Sequence, residues 1–252
     1  AEKLLTKCIP LSRQTLRIGV SGTPGVGKST FIESIGKKLI EKNIKIAVLT
    51  IDPSSSLSKG SILADKTRME TLSNSDLAFI RPSPNSGTLG GVSKNTRDAI
   101  TICEAAGFEI IIIETLGVGQ AETLVKSMTD VFVYLTLVEN GDELQFIKKG
   151  ILELSDIIII NKADQNEQKA KAVQFSIKNS IQNYKSKKDK SVFICSALHG
   201  FNVNNIWNHI AILNEKHNNN GSIENTRKNQ NLFFLKKTLQ DELHQLILKN
   251  NK

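Results

Sequence analysis

The segment Gly22-Thr-Pro-Gly-Val-Gly-Lys28-Ser29 constrains the fold more than any other stretch of this chain. It matches the pattern G-x-x-x-x-G-K-S/T and stands between a strand pattern and a helix pattern. Before it, Leu16-Arg-Ile-Gly-Val-Ser21 places apolar residues at alternating positions; after it, Ile32, Ile35, Leu39 and Ile40 share one helical face. A strand, a glycine-rich turn and a helix in that order build a cradle in which backbone N–H groups curl around an anion. Gly22, Pro24, Gly25, Val26, Gly27 and Thr30 form the cradle and the helix entry. Lys28 is placed to reach the outer phosphates and Ser29 to ligate magnesium, while the helix N-terminus adds the positive end of its dipole.

Further landmarks follow in chain order. After the strand-like run Glu109-Ile-Ile-Ile-Ile-Glu114 comes Thr115-Leu116-Gly117. Glu114 can reach the magnesium shell, and Gly117 can present its N–H to a γ-phosphate. After a second apolar run, Asp156-Ile-Ile-Ile-Ile160, comes Asn161-Lys162-Ala163-Asp164. A carboxylate at Asp164 can accept two hydrogen bonds from the guanine N1–H and exocyclic amine. Adenine cannot supply that pair, so ATP would leave the carboxylate unpaired and be rejected. The strand-like Val192-Phe-Ile-Cys195 precedes Ser196-Ala197-Leu198, whose backbone suits the guanine O6 edge. Each string alone is weak, but all of them at strand ends and in order point to a guanine-nucleotide domain.

The whole chain alternates strand and helix patterns, which predicts an α/β P-loop NTPase fold: a mostly parallel, doubly wound sheet with flanking helices. Strands are expected at 16–21, 45–51, 77–81, 109–114, 130–137, 156–160 and 191–195. Helices are expected near 28–42, 61–73, 92–106, 120–128, 143–153, 165–184 and 203–216. Residues 1–15 form a short N-terminal segment, 16–216 the nucleotide domain, and the polar stretch 217–222 a linker. Beyond it, Leu232, Leu235, Leu239, Leu243, Leu246 and Ile247 recur at helical spacing over a C-terminal helix at 223–252. That arm either packs back on the domain or pairs with a second subunit.

Composition narrows the function classes. A chain of 252 residues is long enough for one large α/β domain, and 39% hydrophobic with 23% charged content is ordinary for a globular protein. No apolar run approaches the roughly 20 residues of a membrane span, and no signal-peptide core opens the chain, so no membrane role is expected. Because the first residue is alanine, the chain is expected to be a processed or excised segment with residues missing upstream. Cys8, Cys103 and Cys195 are far apart and odd in number, which suits a reducing cytoplasmic compartment. The net charge of +8 is dispersed among lysines and asparagines, and with 5% aromatic residues no stacking motif interleaves with it, so no nucleic-acid partner is expected.

The stretch between the phosphate loop and Glu114 departs from small GTPases. Lys45-Ile-Ala-Val-Leu-Thr-Ile51 reads as a strand ending in Asp52-Pro-Ser-Ser-Ser56, which places Asp52 at a strand's carboxyl end, where open α/β sheets bind ligands. Asp65 sits in Gly60-Ser-Ile-Leu-Ala-Asp-Lys-Thr-Arg-Met69, where a charge complementing a helix dipole is the plainer role.

Here a family resemblance becomes specific. Asp52-Pro-Ser-Ser, Gly60-Ser-Ile-Leu-x-Asp65-Lys-Thr-Arg-Met69 and Ile80-Arg-Pro-Ser-Pro-x-Ser-Gly-Thr-Leu-Gly-Gly91 resemble the MeaB/ArgK family, as do Cys103-Glu-Ala-Ala-Gly-Phe108, Glu114-Thr-x-Gly-Val-Gly-Gln120 and Gly141-Asp-Glu-Leu-Gln145. These are methylmalonyl-CoA mutase-associated G proteins, once labelled transport-system kinases, and the resemblance covers roughly residues 16–215. It implies a GTPase that binds GTP or GDP with magnesium and guards an adenosylcobalamin-dependent mutase, gating cofactor loading and helping eject damaged cobalamin. It also implies that Asp52, Asp65 and Glu114 join Ser29 around magnesium or the attacking water, so that Lys28, Asp65, Glu114 and Gly117 form the catalytic set. The family's third switch loop usually reads Pro-Gly-Ala-Gly-Asp-Glu-Leu-Gln; this chain has Val138-Glu-Asn-Gly-Asp-Glu-Leu-Gln145, which alters backbone freedom and adds a charge. The family also carries an N-terminal helical extension, little of which precedes Leu16.

Water positioning is the least legible step. Gln120 lies three residues after Gly117, whereas a water-positioning glutamine directly follows that glycine, so capping of the next helix competes as its role. Arg68, Arg81 and Lys148 could supply charge, with surface or phosphate-neutralising roles as alternatives. Slow intrinsic turnover that depends on a partner is therefore expected. The expected partners are a methylmalonyl-CoA mutase-type enzyme and a second copy of this chain. The location would be cytoplasmic, or the mitochondrial matrix in a eukaryote. Two other classes compete. A metallochaperone GTPase would need a Cys or His cluster, and His199, His209, His217 and His244 are isolated in sequence. A transport-system kinase would use ATP, which Asn161-x-x-Asp164 disfavours.

Overall fold

The computed structural model describes residues 2–11, 14–51, 68–83, 89–115, 121–138, 149–183 and 190–250. Among them, seven strands form one sheet: β1 (Leu16–Gly22), β2 (Ile46–Ile51), β3 (Ala78–Ser83), β4 (Ile110–Thr115), β5 (Val131–Thr136), β6 (Ile157–Ile160) and β7 (Ser191–Ile194). Their order is β3-β2-β4-β1-β5-β6-β7, and every pairing is parallel. Every strand expected from the sequence is present, with bounds shifted by a residue or two. Parallel pairing obliges each connection to cross over the sheet, so helices cover both faces and the strands can be apolar throughout. That is why β2, β4, β5 and β6 are buried at every residue.

The alternation of side chains sorts the core into layers. Ile18 and Val20 of β1, with Ile46 and Val48 of β2, face one side. There they meet Phe31, Ile35 and Leu39 of α2 (Lys28–Glu41) and Leu72 of the short α3 (Glu70–Ser73). Leu49 and Ile51 of β2 and Ile111 and Ile113 of β4 face the other side. They pack on Ala99, Ile100 and Cys103 of α4 (Leu89–Ala105) and on Leu124 and Val125 of α5 (Ala121–Lys126). Beyond α6 (Lys149–Leu154), a third cluster sets Ile158 and Ile160 of β6 against Ala170 and Ile177 of α7 (Glu167–Asn183). Each fully buried isoleucine or leucine contributes about 1.5–3 kcal/mol against exposure. Gly19 in β1 shows how tight the second layer is: a Cβ there would stand 2.7 Å from both Phe132 and Val125.

Three details bear on the sequence reading. The N-terminal segment contains a helix, α1 (Glu2–Cys8), followed by a 3-10 turn at Ile9–Leu11. The expected helix at 61–73 is described only from Arg68 onward. The polar stretch 217–222 is not a linker along its length: α8 (Val203–Asn219) runs into it, and Asn220-Gly221 turns the chain directly into α9 (Ser222–Asn250). Gly221 takes φ 69°, so the reversal needs only two residues.

The first part of α9 packs back on the domain. Arg227 grips Asp130 with two hydrogen bonds of 2.9 and 2.7 Å and also donates to the Thr15 carbonyl. Gln230 donates to the Thr129 carbonyl at 2.9 Å, and Phe234 joins the α4–α5 core layer. Further along, Leu232, Leu235, Leu239 and Leu243 remain exposed.

Candidate nucleotide-binding site

β1 is central, with β4 and β2 on one side and β5 and β6 on the other. The chain therefore changes direction of winding at β1, and the crevice at its carboxyl end is where an open α/β sheet holds a ligand. The phosphate loop occupies that position. Gly25 and Gly27 take left-handed φ values of 78° and 94°, and Gly27 directly precedes the first turn of α2. A Cβ on Gly27 would fall 2.6 Å from Asn161 Nδ2, so that position excludes a side chain on steric grounds as well as conformational ones.

Lys28 turns back into the loop. Its Nζ donates to the carbonyls of Gly22 at 2.8 Å and Thr23 at 3.1 Å. Burial pushes its pKa below the ordinary 10.5, opposed by the carboxylates of Glu114 and Glu122 and reinforced by the Arg68 guanidinium. A cation drawn out of water in this way gains most from an arriving phosphate. Arg68 thus stands near enough to bear on the loop, whereas the charge of Arg81 acts on the Cys103 thiol. Pro24 and Thr30 hold their expected places at the loop tip and in the first turn of α2.

Glu114 lies at the end of β4, paired in register with Val20 of β1 and Thr50 of β2. It is 1% exposed, and its Oε1 accepts the Ser29 hydroxyl at 3.0 Å. A hydroxyl and a carboxylate brought together at a phosphate loop are oxygen donors of the hard kind that magnesium takes, so these residues fit that ion. The neighbouring Ser21 and Thr115 hydroxyls share a hydrogen bond of 2.9 Å, tying β1 to β4 beside the loop. Asp52, Asp65, Gly117, Gln120 and Lys148 lie outside the described residues, as does the switch segment after Val138.

On the other side of the phosphate loop, Asn161 follows β6 and is 2% exposed. Its Nδ2 donates to the Val26 carbonyl at 2.8 Å, and its Oδ1 accepts the Ala197 N–H at 3.0 Å and the Cys195 thiol at 3.3 Å. One amide therefore fastens the phosphate loop to the loop after β7. Lys162 adopts a left-handed φ of 58°. Asp164 is open to solvent, and a hydrogen bond from Ser196 is the main cause holding its carboxyl below the ordinary 3.8. His199 lies beside it, Nε2 to Oδ2 3.8 Å. Ser196 also bridges back to Phe201, shaping a tight turn that leaves Leu198 outward and 75% exposed. An ionised carboxylate at the mouth of this turn can accept the two donors of a guanine edge.

The structure therefore brings Gly22, Gly25, Val26, Gly27, Lys28, Ser29, Glu114, Asn161, Asp164, Ser196 and Ala197 to one edge of the sheet. The sequence reading missed Glu122, a carboxylate 2% exposed in the first turn of α5 whose charge reaches Lys28. Its only signal was an acidic residue soon after the strand that carries Glu114. Among the described residues, no group of three or more His, Cys, Asp or Glu side chains is placed to hold a metal ion. No helix of the described residues is long and apolar enough to cross a membrane.

Comparison with known proteins agrees with this geometry. The family model described as "Methylmalonyl Co-A mutase-associated GTPase MeaB" matches residues 1–252. "GTPase ArgK" of Escherichia coli is 42% identical over 245 residues, covering 96% of this chain and 74% of that protein. The mouse protein "Methylmalonic aciduria type A homolog, mitochondrial" is 51% identical over 174 residues, covering 65% of this chain and 42% of that protein. A crystal structure of an "LAO/AO transport system kinase" superposes with a TM-score of 0.82 at 34% identity, over 99% of this chain and 75% of that one. The phosphate loop, the Asn161 cross-link and these matches together place the chain in the family of methylmalonyl-CoA mutase-associated GTPases, MeaB.

Proposed function

We propose that this protein binds GTP and GDP with magnesium, hydrolyses GTP slowly by itself, and serves as a chaperone for an adenosylcobalamin-dependent acyl-CoA mutase. The observation that carries the nucleotide part is the Asn161 side chain, which joins the Val26 carbonyl to the Ala197 N–H. A single rigid bridge then sets the spacing between phosphate cradle and base-reading turn, which is the dimension a guanine nucleotide must match.

In this reading the N–H groups of Gly25, Val26, Gly27, Lys28, Ser29 and Thr30 cradle the phosphates, with Gly22 and Pro24 shaping the loop. Lys28 exchanges its two loop carbonyls for phosphate oxygens as the nucleotide enters. Asp164 reads the guanine edge, steadied by Ser196, while the stem of Lys162 and the backbone of Ala197 and Leu198 close over the base. Ser29 and Glu114 would hold the magnesium, joined by Asp52 and Asp65, and that ion would neutralise charge on the β- and γ-phosphates. Glu114 and Asp65 would also orient the attacking water, with Gly117 donating its N–H to the γ-phosphate. Preorganised donors of this kind lower the barrier because they need no rearrangement as charge moves to the leaving oxygen.

The family description and the mouse relative's name support the mutase as partner. The exposed stripe of Leu232, Leu235, Leu239 and Leu243 on α9 supports a homodimer, since an apolar stripe of that length gains from being covered. The partner would act through the segment around 138–148, selecting the arrangement that positions water. The test is a purified cognate mutase: it should co-elute with this chain in the presence of a non-hydrolysable GTP analogue and raise the GTP turnover. A mutase that neither binds nor changes turnover overturns the partner assignment while leaving GTP binding intact.

A further inference from the structure

A second cavity, of about 610 Å³, opens at the other end of the sheet from the phosphate loop. Arg17 stands one residue after the start of β1, and Gly22 ends it, so the two sites are roughly 17 Å apart along the strand. The cavity lies between α4, the turn after α5, the first part of α9 and the N-terminal segment, and its volume is in the range of small-molecule sites. Arg17, Arg97 and Arg227 line it, with Glu104 as the acidic residue among the lining side chains.

Among the described residues, the three guanidiniums differ in how closely a carboxylate holds them. Arg17 is paired with Glu104 at 2.7 Å, and Arg227 with the enclosed Asp130 at 2.7 Å. Arg97 has neutral contacts instead: its Nη2 donates to the Asn231 amide oxygen at 2.7 Å, and its guanidinium lies 4.2 Å above the Phe234 ring. Burial and the repulsion of Arg17 both press its pKa below the ordinary guanidinium value, and the attraction of its neighbour Asp98 is the smaller effect. A guanidinium held flat on a ring, with its plane fixed by an amide, has lost little further freedom to give up when it forks onto an anion. Thr101 also lines the cavity, one helical turn on from Arg97, with its hydroxyl donating to the Arg97 carbonyl at 3.1 Å.

We propose that this cavity is a binding site for a small organic anion, a carboxylate or phosphate held by Arg97 with Arg17 and Arg227 beside it. Its lining joins α9 to Ser127 and Met128, which directly follow α5, so an occupant touches both the C-terminal arm and the chain that leaves the helix after the Glu114 strand.

The experiment is calorimetric titration of the chain, saturated with GDP and magnesium so that the phosphate loop is filled. Inorganic phosphate and succinate serve as separate probes of the two anion classes. At least one should bind saturably, one per chain, and the one that does identifies the class. Arg97→Gln should weaken that binding at least tenfold. Thr101→Glu, which supplies an internal carboxylate to the arginines, should abolish it and remains informative where Arg97→Gln fails to fold. GDP affinity should be unchanged in both variants. Absence of binding by both probes, or parent-like affinity in either folded variant, overturns the proposal without touching the GTP assignment.

Discussion

Asn161 Nδ2 donates to the Val26 carbonyl at 2.8 Å across 135 residues of sequence, so the chain after β6 and the phosphate loop are parts of one hydrogen-bonded unit. The same amide accepts the Ala197 N–H at 3.0 Å. Asn161→Ala removes both bonds and leaves buried backbone groups unpaired, which costs about 2 kcal/mol of stability. Nucleotide affinity should fall at least tenfold, because the two halves of the site lose their spacing. Denaturant unfolding and GDP titration on one preparation check both outcomes; unchanged GDP affinity would falsify the view that the bridge sets the site.

In the proposed function guanine choice rests on Asp164, whose carboxyl a Ser196 hydrogen bond holds below its ordinary value. The parent should bind GTP and GDP far better than ATP. Asp164→Asn should shift preference toward xanthine nucleotides, since the amide donates where the carboxylate accepted. Competition binding among GTP, XTP and ATP measures this, and equal GTP and ATP affinity in the parent refutes the assignment.

Lys28→Ala takes the buried ammonium from the loop and should abolish most nucleotide binding. Glu114→Ala should instead slow single-turnover hydrolysis more than it weakens binding, as Ser29 loses the carboxylate it donates to at 3.0 Å. Magnesium removal by chelation should reproduce the Glu114→Ala rate. An unchanged single-turnover rate in that variant sinks the proposed metal shell.

Arg227 holds the start of α9 to the domain through Asp130, a residue whose side chain is fully enclosed. Arg227→Ala leaves that carboxylate with only the Arg17 N–H among the bonds described here, and should cost about 3 kcal/mol. Limited proteolysis should then cut first near Asn220-Gly221, where α8 turns into α9. Parent-like stability would mean that α9 is held by its apolar contacts alone.

His209 packs edge-on against Phe193, ring centroids 5.1 Å apart, with its Nε2 buried and without a hydrogen-bond partner among the described residues. Burial lowers its pKa from the ordinary 6.5. The unfolded chain therefore binds the proton more readily than the folded one, and stability falls as pH drops below 6.5 toward the folded-state value. His209→Leu should remove this component, so its melting temperature relative to the parent should be higher at pH 5.5 than at pH 8. A difference that does not vary with pH refutes the buried-histidine account.

Much of this architecture is written locally. The isoleucine runs at 110–113 and 157–160 read as strands covered on both faces, and each is followed directly by a residue of the site, Glu114 and Asn161. The phosphate loop and the first helix were legible because a glycine-rich turn and a 3.6-residue period are properties of neighbours along the chain. The boundaries of 217–222 were not legible, because polar residues suit an exposed helix end as well as a loop, and only the Asn220-Gly221 turn distinguishes them.

What the sequence by itself determined is the order of strands and helices and which chemical groups stand at the strand ends. Only the tertiary structure decided that β1 lies between β4 and β5, that Asn161 reaches Val26, and that Arg17, Arg97 and Arg227 share one cavity. Strand order depends on how crossovers stack apolar faces over long chain separations, and hydrogen bonds between residues more than a hundred apart leave no periodic trace in the chain.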